Sequence, residues 1–197
     1  MKELANKRIL IKLGGSVLED EKVMKNLCID IKNLKEAGAE IIIVHGGGKF
    51  ITKCLEKHNV QTKFLDGFRV TPKEHMEIIQ MALYRVNKKL SQMFSSINLD
   101  GISISGEDSN LITCSLIDKD KYGYVGLVKD VDPTVILKAL PQGLIPIVAT
   151  ICLTDKFESV NVNADNVASE LAIICDVDEL IYITDQNGVL DNNGNLI

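Results

Sequence analysis

A chain of 197 residues, 46% hydrophobic and 25% charged, has the make-up of an ordinary globular protein with enough apolar residues for a sizeable core. Its net charge of −5 argues against a nucleic-acid or anionic-membrane partner, either of which would want a basic face. No apolar run approaches the roughly 18 residues needed to span a bilayer, and the polar stretch 1–8 has no signal-peptide character, so a cytoplasmic protein of one domain, or one and part of a second, is expected.

Arg8 to Leu13 (RILIKL) reads as a buried strand that runs into Gly14-Gly15-Ser16. Val23, Leu27, Ile31 and Leu34 then recur at helical spacing, with Gly38 as the stop. Glu40 to Val44 is the second strand, followed by His45, the triplet Gly46-Gly47-Gly48 and a helix from Lys49 to His58. Thr71-Pro72-Lys73-Glu74 has the form of a capped helix start, with Thr71 as N-cap, proline at the first helical position and Glu74 closing the box. Behind it Met76, Ile79, Leu83, Val86, Leu90 and Phe94 form one apolar stripe, suited to a core or to a partner helix. Ile102 to Ser105 is a further strand. Leu111 to Ile117 and Tyr124 to Lys129 predict a β-hairpin near residues 111–129 with a charged tip at Asp118 to Lys121. Ile145 to Cys152 reads as one strand, Ala164 to Cys175 as a helix and Leu180 to Thr184 as the last core strand, with turn signals at Asn187-Gly188 and Asn193-Gly194. This alternation predicts an α/β fold, a three-layer αβα sandwich around a mainly parallel sheet.

In such sheets ligands collect where strands end and helices begin. Two glycine loops fall at such places, and consecutive backbone N–H groups backed by a helix N-terminus bind phosphate or carboxylate. Neither loop is a standard nucleotide fingerprint: GxGxxG is absent, and Phe50 follows Lys49 where a Walker A loop needs serine or threonine. Lys12 sits in an apolar strand two residues before Gly14, where it either snorkels outward or faces an anion. Arg69, in Asp66-Gly67-Phe68-Arg69-Val70-Thr71, could fork onto a carboxylate or make a surface ion pair. Asn161-Val162-Asn163-Ala164-Asp165 places three short polar side chains at a helix start, as caps or as ligand contacts. The five cysteines are scattered through apolar segments and read as free thiols, and the three histidines have no metal-ligand spacing. No protein-built metal site is expected.

Together, IKLGGSVL, IIIVHGGGKFI, LDGFRVT, VNKKL, GISISGEDSNLI, GYVG, IPIVATI, NVNADNVAS and LIYITDQNGVL resemble the amino acid kinase family over nearly the whole chain and in the right order. The resemblance is strongest to the members that phosphorylate N-acetyl-L-glutamate. It implies ATP-dependent transfer to the side-chain carboxylate, giving an acyl phosphate in arginine biosynthesis. Other acceptors on the same fold (glutamate, aspartate, an aminoadipate derivative, carbamate or UMP) and a non-catalytic acceptor-binding module are the alternatives. By resemblance Lys12 would neutralise charge on the phosphoryl group in flight and Asp165 would orient the catalytic lysines. Gly47 and Gly48 would bind the acceptor, with Arg69 and Asn161 on its other carboxylate. Gly14 and Gly15 would lie near the phosphates, and Asp185, Gln186, Asn187, Gly188, Val189 and Leu190 would open the ATP pocket. Mg2+ would be held mainly by phosphates and water. The helix around Met76–Phe94 would carry a homodimer. The resemblance also divides the chain into an acceptor-binding lobe, 1–178, and the start of an ATP-binding lobe, 179–197. The family pattern continues past Ile197, where it includes a second lysine, so the expected kinase activity of these 197 residues alone is weak or absent.

Overall fold

The computed structural model describes residues 4–5, 7–15, 17–184 and 188. The chain opens with β1 (Arg8–Leu13), α1 (Glu21–Glu36) and β2 (Glu40–His45). Asp20 starts α1 by accepting from the amides of Lys22 and Val23, and Met24, Cys28 and Ile31 give the helix its buried stripe. Next come α2 (Gly48–Lys57), which begins inside the glycine triplet, and a short hairpin of β3 (Phe64–Leu65) and β4 (Phe68–Arg69). The hairpin turns on Asp66 and Gly67, both at positive φ (52° and 81°), as a two-residue type I′ turn requires. The long helix α3 (Met76–Ser96) follows, then β5 (Gly101–Ser105), β6 (Ile112–Leu116), α4 (Lys119–Tyr122), β7 (Val125–Val131) and α5 (Thr134–Ala139). The described chain closes with β8 (Ile145–Ala149), β9 (Ile151–Thr154), β10 (Ser159–Val162), α6 (Ala164–Ile174) and β11 (Glu179–Ile183).

The central sheet has the order β11-β1-β2-β8-β5, with every pairing parallel. Because side chains alternate along a strand, its two faces feed two cores. Ile9, Ile11, Leu13, Ile41 and Ile43 cluster with Met24 and Ile31 of α1 and with Val86, Leu90 and Phe94 of α3. Leu10, Ile42, Val44 and Val148 cluster instead with Ile51 and Leu55 of α2, Ile79 and Leu83 of α3, and Val167 and Leu171 of α6. Helices therefore cover both faces of a mainly parallel sheet, as the alternating pattern predicts. β11 pairs with β1 in the same sheet, Ile183 opposite Leu13.

The hairpin expected near 111–129 is present as β6 and β7, antiparallel, with Leu116 opposite Gly126. Its tip is ordered: Asp118 accepts from the amides of Asp120 and Lys121 and so caps α4. The hairpin also belongs to a closed four-stranded barrel, β10-β7-β6-β9, which sequence patterning did not suggest. The single strand expected from Ile145 to Cys152 is two strands, because the chain leaves the sheet at Ala149 and enters the barrel at Ile151. Ser159–Val162, polar at alternate positions, completes the barrel.

Two expectations for the long helix are corrected. Thr71 is not its cap: Lys73–His75 form a 3₁₀ turn and α3 starts at Met76. The backbone of Thr71 is already committed, its N–H donating to the Tyr122 carbonyl and its carbonyl accepting from Tyr124, while its buried hydroxyl donates to the Arg69 carbonyl at 2.8 Å. The stripe from Met76 to Phe94 is also buried within the chain's own core, so it is not the face offered to a second subunit.

Candidate active site

A cavity of about 220 Å3 opens at the C-terminal ends of β1 and β2. It is smaller than the ~300–1,000 Å3 typical of drug-sized ligands, which suits a small acid. The strands of the sheet are parallel, so the loops after β1 and β2 emerge at one edge of it, and α6 begins at that same edge. Lys12, Gly14, Gly15, Gly47, Gly48, Arg69, Asn161 and Asp165 all line the cavity. These are eight of the residues picked out from sequence, drawn from four separate stretches of chain. Asp185, Gln186, Asn187, Val189 and Leu190 lie outside the described residues; Gly188 is exposed, at positive φ.

On one side, Lys12 is 12% exposed and its Nζ sits 2.7 Å from Oδ1 of Asp165. The alternative of a lysine snorkelling to solvent is therefore set aside. The partner is held by the start of α6, where the Asn163 side chain accepts from the amides of Asp165 and Asn166. A carboxylate in a first helical turn is further favoured by the helix dipole. So Asn163 caps the helix, and Asp165 lines the cavity.

On the other side, Arg69 is 6% exposed. Its Nη2 donates to the Gly48 carbonyl at 2.8 Å and to the Thr52 hydroxyl at 2.9 Å, and its guanidinium lies 4.6 Å from the Phe64 ring centroid. Nη1 has no partner. Burial lowers the pKa of Arg69 from its ordinary value, but a guanidinium stays charged near neutrality. A buried, charged donor without a partner is costly, and an incoming carboxylate would satisfy Nη1 with a charge-assisted hydrogen bond.

The glycines do different jobs. The Gly14 N–H donates to the Ile183 carbonyl at 2.8 Å, so that amide is spent on the sheet, and a Cβ there would lie 3.0 Å from the same oxygen. A Cβ on Gly47 would meet Leu83 Cδ2 at 2.7 Å, so glycine allows α3 to pack under the loop. A Cβ on Gly48 would meet nothing within 4 Å. No side chain caps α2, which leaves its first amides for an anion.

Phe64, Phe68, Val125 and Thr150 also line the cavity and were not singled out from sequence. Phe68 carried a readable signal, since it lies between Gly67 and Arg69. Thr150 carried none, being one polar residue in an apolar run. Among the described residues no group of three or more His, Cys, Asp or Glu is placed to hold a metal ion.

The sequence pattern of the Amino acid kinase family matches residues 7–197. This chain belongs to the amino acid kinase family. Among its relatives in that family is an acetylglutamate kinase from Campylobacter curvus, 37% identical over 100% of this chain and 70% of that protein. Another is an acetylglutamate kinase from Campylobacter fetus subsp. fetus, 40% identical over 95% of this chain and 68% of that one. Of solved structures, smu.665 from Streptococcus mutans UA159 superposes with a TM-score of 0.87 at 33% identity, covering 98% of this chain and 76% of that one. The N-acetylglutamate synthase of Neisseria gonorrhoeae, solved with coenzyme A and N-acetyl-glutamate, superposes with a TM-score of 0.82 at 19% identity and shares the fold. It is covered over 45% of its length, against 99% of this chain. The amino acid kinase fold thus accounts for the position of the cavity at the strand ends.

Proposed function

We propose that the chain supplies the acceptor lobe and the opening of the nucleotide lobe of an enzyme that transfers the terminal phosphoryl group of ATP to the side-chain carboxylate of N-acetyl-L-glutamate, forming an acyl phosphate in arginine biosynthesis. The observation that carries this is the pairing, within one cavity, of a buried arginine with an open donor and a lysine–aspartate pair beside two glycine loops. Full-chain kinship with acetylglutamate kinases supports the choice of acceptor.

The chemistry needs little from the protein beyond alignment and charge. An acceptor carboxylate oxygen forms a bond to the terminal phosphorus, the bond from that phosphorus to the bridging oxygen breaks, and ADP leaves with the electron pair. No proton moves, because a carboxylate is already ionised at neutral pH. Transfer of this kind relies on positioning and electrostatic stabilisation. Lys12 offsets charge that builds on the phosphoryl oxygens, and Asp165 holds its Nζ in place. Arg69 and Asn161 grip the acceptor's other carboxylate, and the amides at Gly47 and Gly48 steady the reacting end. Gly14 and Gly15 border the phosphates, and 185–190 open the nucleotide pocket. In this scheme 1–178 is the acceptor lobe and 179–197 begins the nucleotide lobe. Among the described residues Asp165 is the one carboxylate that lines the cavity and Lys12 already partners it, which fits a magnesium ion carried on phosphate oxygens and water rather than in a protein cage; the ion would supply charge neutralisation. A cytoplasmic homodimer completes the scheme. Its contact would use the outer face of α3, where Met81 is 50% and Tyr84 38% exposed.

Hydroxylamine trapping of the product across a panel of acceptors, with an enzyme that carries the whole family pattern, tests the reading. Acyl hydroxamate should form with N-acetyl-L-glutamate in preference to free glutamate and aspartate. Preference for free glutamate, or no hydroxamate with any acceptor, would overturn it.

A further inference from the structure

Four of the cavity's lining residues, Phe64, Gly67, Phe68 and Arg69, come from the β3–β4 hairpin, whose strands are two residues each. Two-stranded hairpins of that length are not stable alone in water. Something outside the hairpin must hold it over the cavity.

Arg69 ties one side to Gly48 and Thr52 of α2, and the contacts on the other side meet at one carboxylate. Oδ2 of Asp66, at the tip of the turn, accepts from Nζ of Lys121 at 2.7 Å and from the hydroxyl of Tyr122 at 2.6 Å. Beside it the Phe68 and Tyr122 rings meet edge to face, 5.6 Å between centroids. Lys121 and Tyr122 belong to α4, the ordered tip of the β6–β7 hairpin, and Tyr122 is itself buried. The base of the hairpin is tied to the same place, since the Thr71 N–H donates to the Tyr122 carbonyl and Thr71 bridges Gly123. Gly123 sits at φ 73°, and a Cβ there would lie 2.3 Å from the Thr71 carbonyl oxygen, so the two loops are pressed together backbone on backbone.

We propose that Asp66 is a positioning residue, a latch that binds the hairpin to α4 and thereby holds Arg69 and Phe68 over the acceptor. The proposal rests on the acceptor reading above for the ligand, but not for the latch itself. Asp66 touches neither the cavity nor any reacting atom; its side chain is 57% exposed and points to α4. It acts by keeping the hairpin down when the cavity is empty, so that an arriving acid need not order Phe64 to Arg69 as it binds. Specificity for the acid follows, because the guanidinium and the Phe68 ring are presented at a fixed distance from the Gly48 end.

Two measurements test this. Hydrogen exchange on the ligand-free full chain should show the amides of 63–70 exchanging about five- to tenfold faster in Asp66→Ala and Lys121→Met, with β1 and β2 unchanged. Tyr122→Phe, which keeps the ring, should do less. In the kinase assay the same single variants should raise KM for the acceptor about five- to tenfold, leaving kcat and KM for ATP within about twofold. Unchanged exchange at 63–70, faster exchange throughout the chain, or a fall in kcat with KM unmoved would each overturn the latch. Local loosening in variants of a protein that phosphorylates no N-acetylated acid would uphold the latch and defeat the acceptor reading alone.

Discussion

The two cations of the cavity differ in what surrounds them, and that difference predicts their kinetics. Lys12 is already neutralised by Asp165, so little of its interaction is available to a ground-state ligand. Its contribution grows only as charge develops during transfer. Lys12→Met should therefore lower kcat by about 10²–10³-fold, the usual loss for removing one electrostatic stabiliser, with KM for the acceptor changed by less than about threefold. Arg69 presents an unpaired donor before any reaction begins. Arg69→Ala should raise KM for the acceptor by about 10–100-fold, the range for a lost charge-assisted hydrogen bond, and affect kcat less. Steady-state kinetics on both variants would assign the roles, and the opposite pattern would exchange them.

Among the elements, α6 has the most direct link from local structure to chemistry. Its first turn is set by Asn163, whose side chain accepts from Asp165 N at 2.7 Å, and Asp165 in turn holds Lys12. Asn163→Ala should cost about 1 kcal/mol of stability in denaturant titration, as loss of an N-cap does, and should lower kcat because Asp165 is then less firmly placed. Asn163→Ser should retain most of both. The start of this helix, like β1, β2, α1 and most of α3, was legible in the sequence, because each has a clear period and a local stop or start signal. The barrel was not, because nothing local marks Ala149 as the point where the chain changes sheets or Ser159–Val162 as a strand. The barrel closes through partners more than 30 residues away, Thr113 opposite Leu153 and Val125 opposite Asn161, although Ser159–Val162 also pairs with the neighbouring β9. Thr71 misled for the same reason: its cap-like context is real, but pairing with the Tyr122–Tyr124 stretch takes precedence. At the site, the glycines, Lys12, Arg69 and Asp165 stood out because each is chemically unusual where it lies. Phe64, Val125 and Thr150 are ordinary residues that become site residues only through folding.

At the scale of the whole molecule, stability depends on pH through a buried histidine, His45, at the end of β2. It is fully buried, its Nδ1 lies 2.9 Å from the Gly46 carbonyl, to which it donates, and Nε2 has no partner. Burial pulls its pKa from 6.5 to about 4, only partly opposed by the bond to Gly46. The folded state therefore holds the imidazole neutral, while the unfolded chain takes up a proton below about pH 6.5. The stabilisation is fully present above pH 6.5 and is lost as pH falls from 6.5 toward 4, by up to about 3 kcal/mol. Urea denaturation at pH 7 and at pH 4.5 should reveal that loss, and His45→Gln should flatten much of the slope. A slope unchanged by that substitution would place the acid sensitivity elsewhere.

His45 also marks where the sheet acts as a ruler. It pairs with Leu13, so the loops after β1 and β2 leave neighbouring strands at matching heights. Their separation is then tied to the interstrand repeat of about 4.8 Å, a backbone constant that side-chain substitution scarcely alters. The hairpin that lines the cavity is not in this sheet. Under the acceptor reading proposed above, changes in the hairpin would alter which acid is admitted, while the reach between the two glycine loops stays fixed by the lattice of the strands.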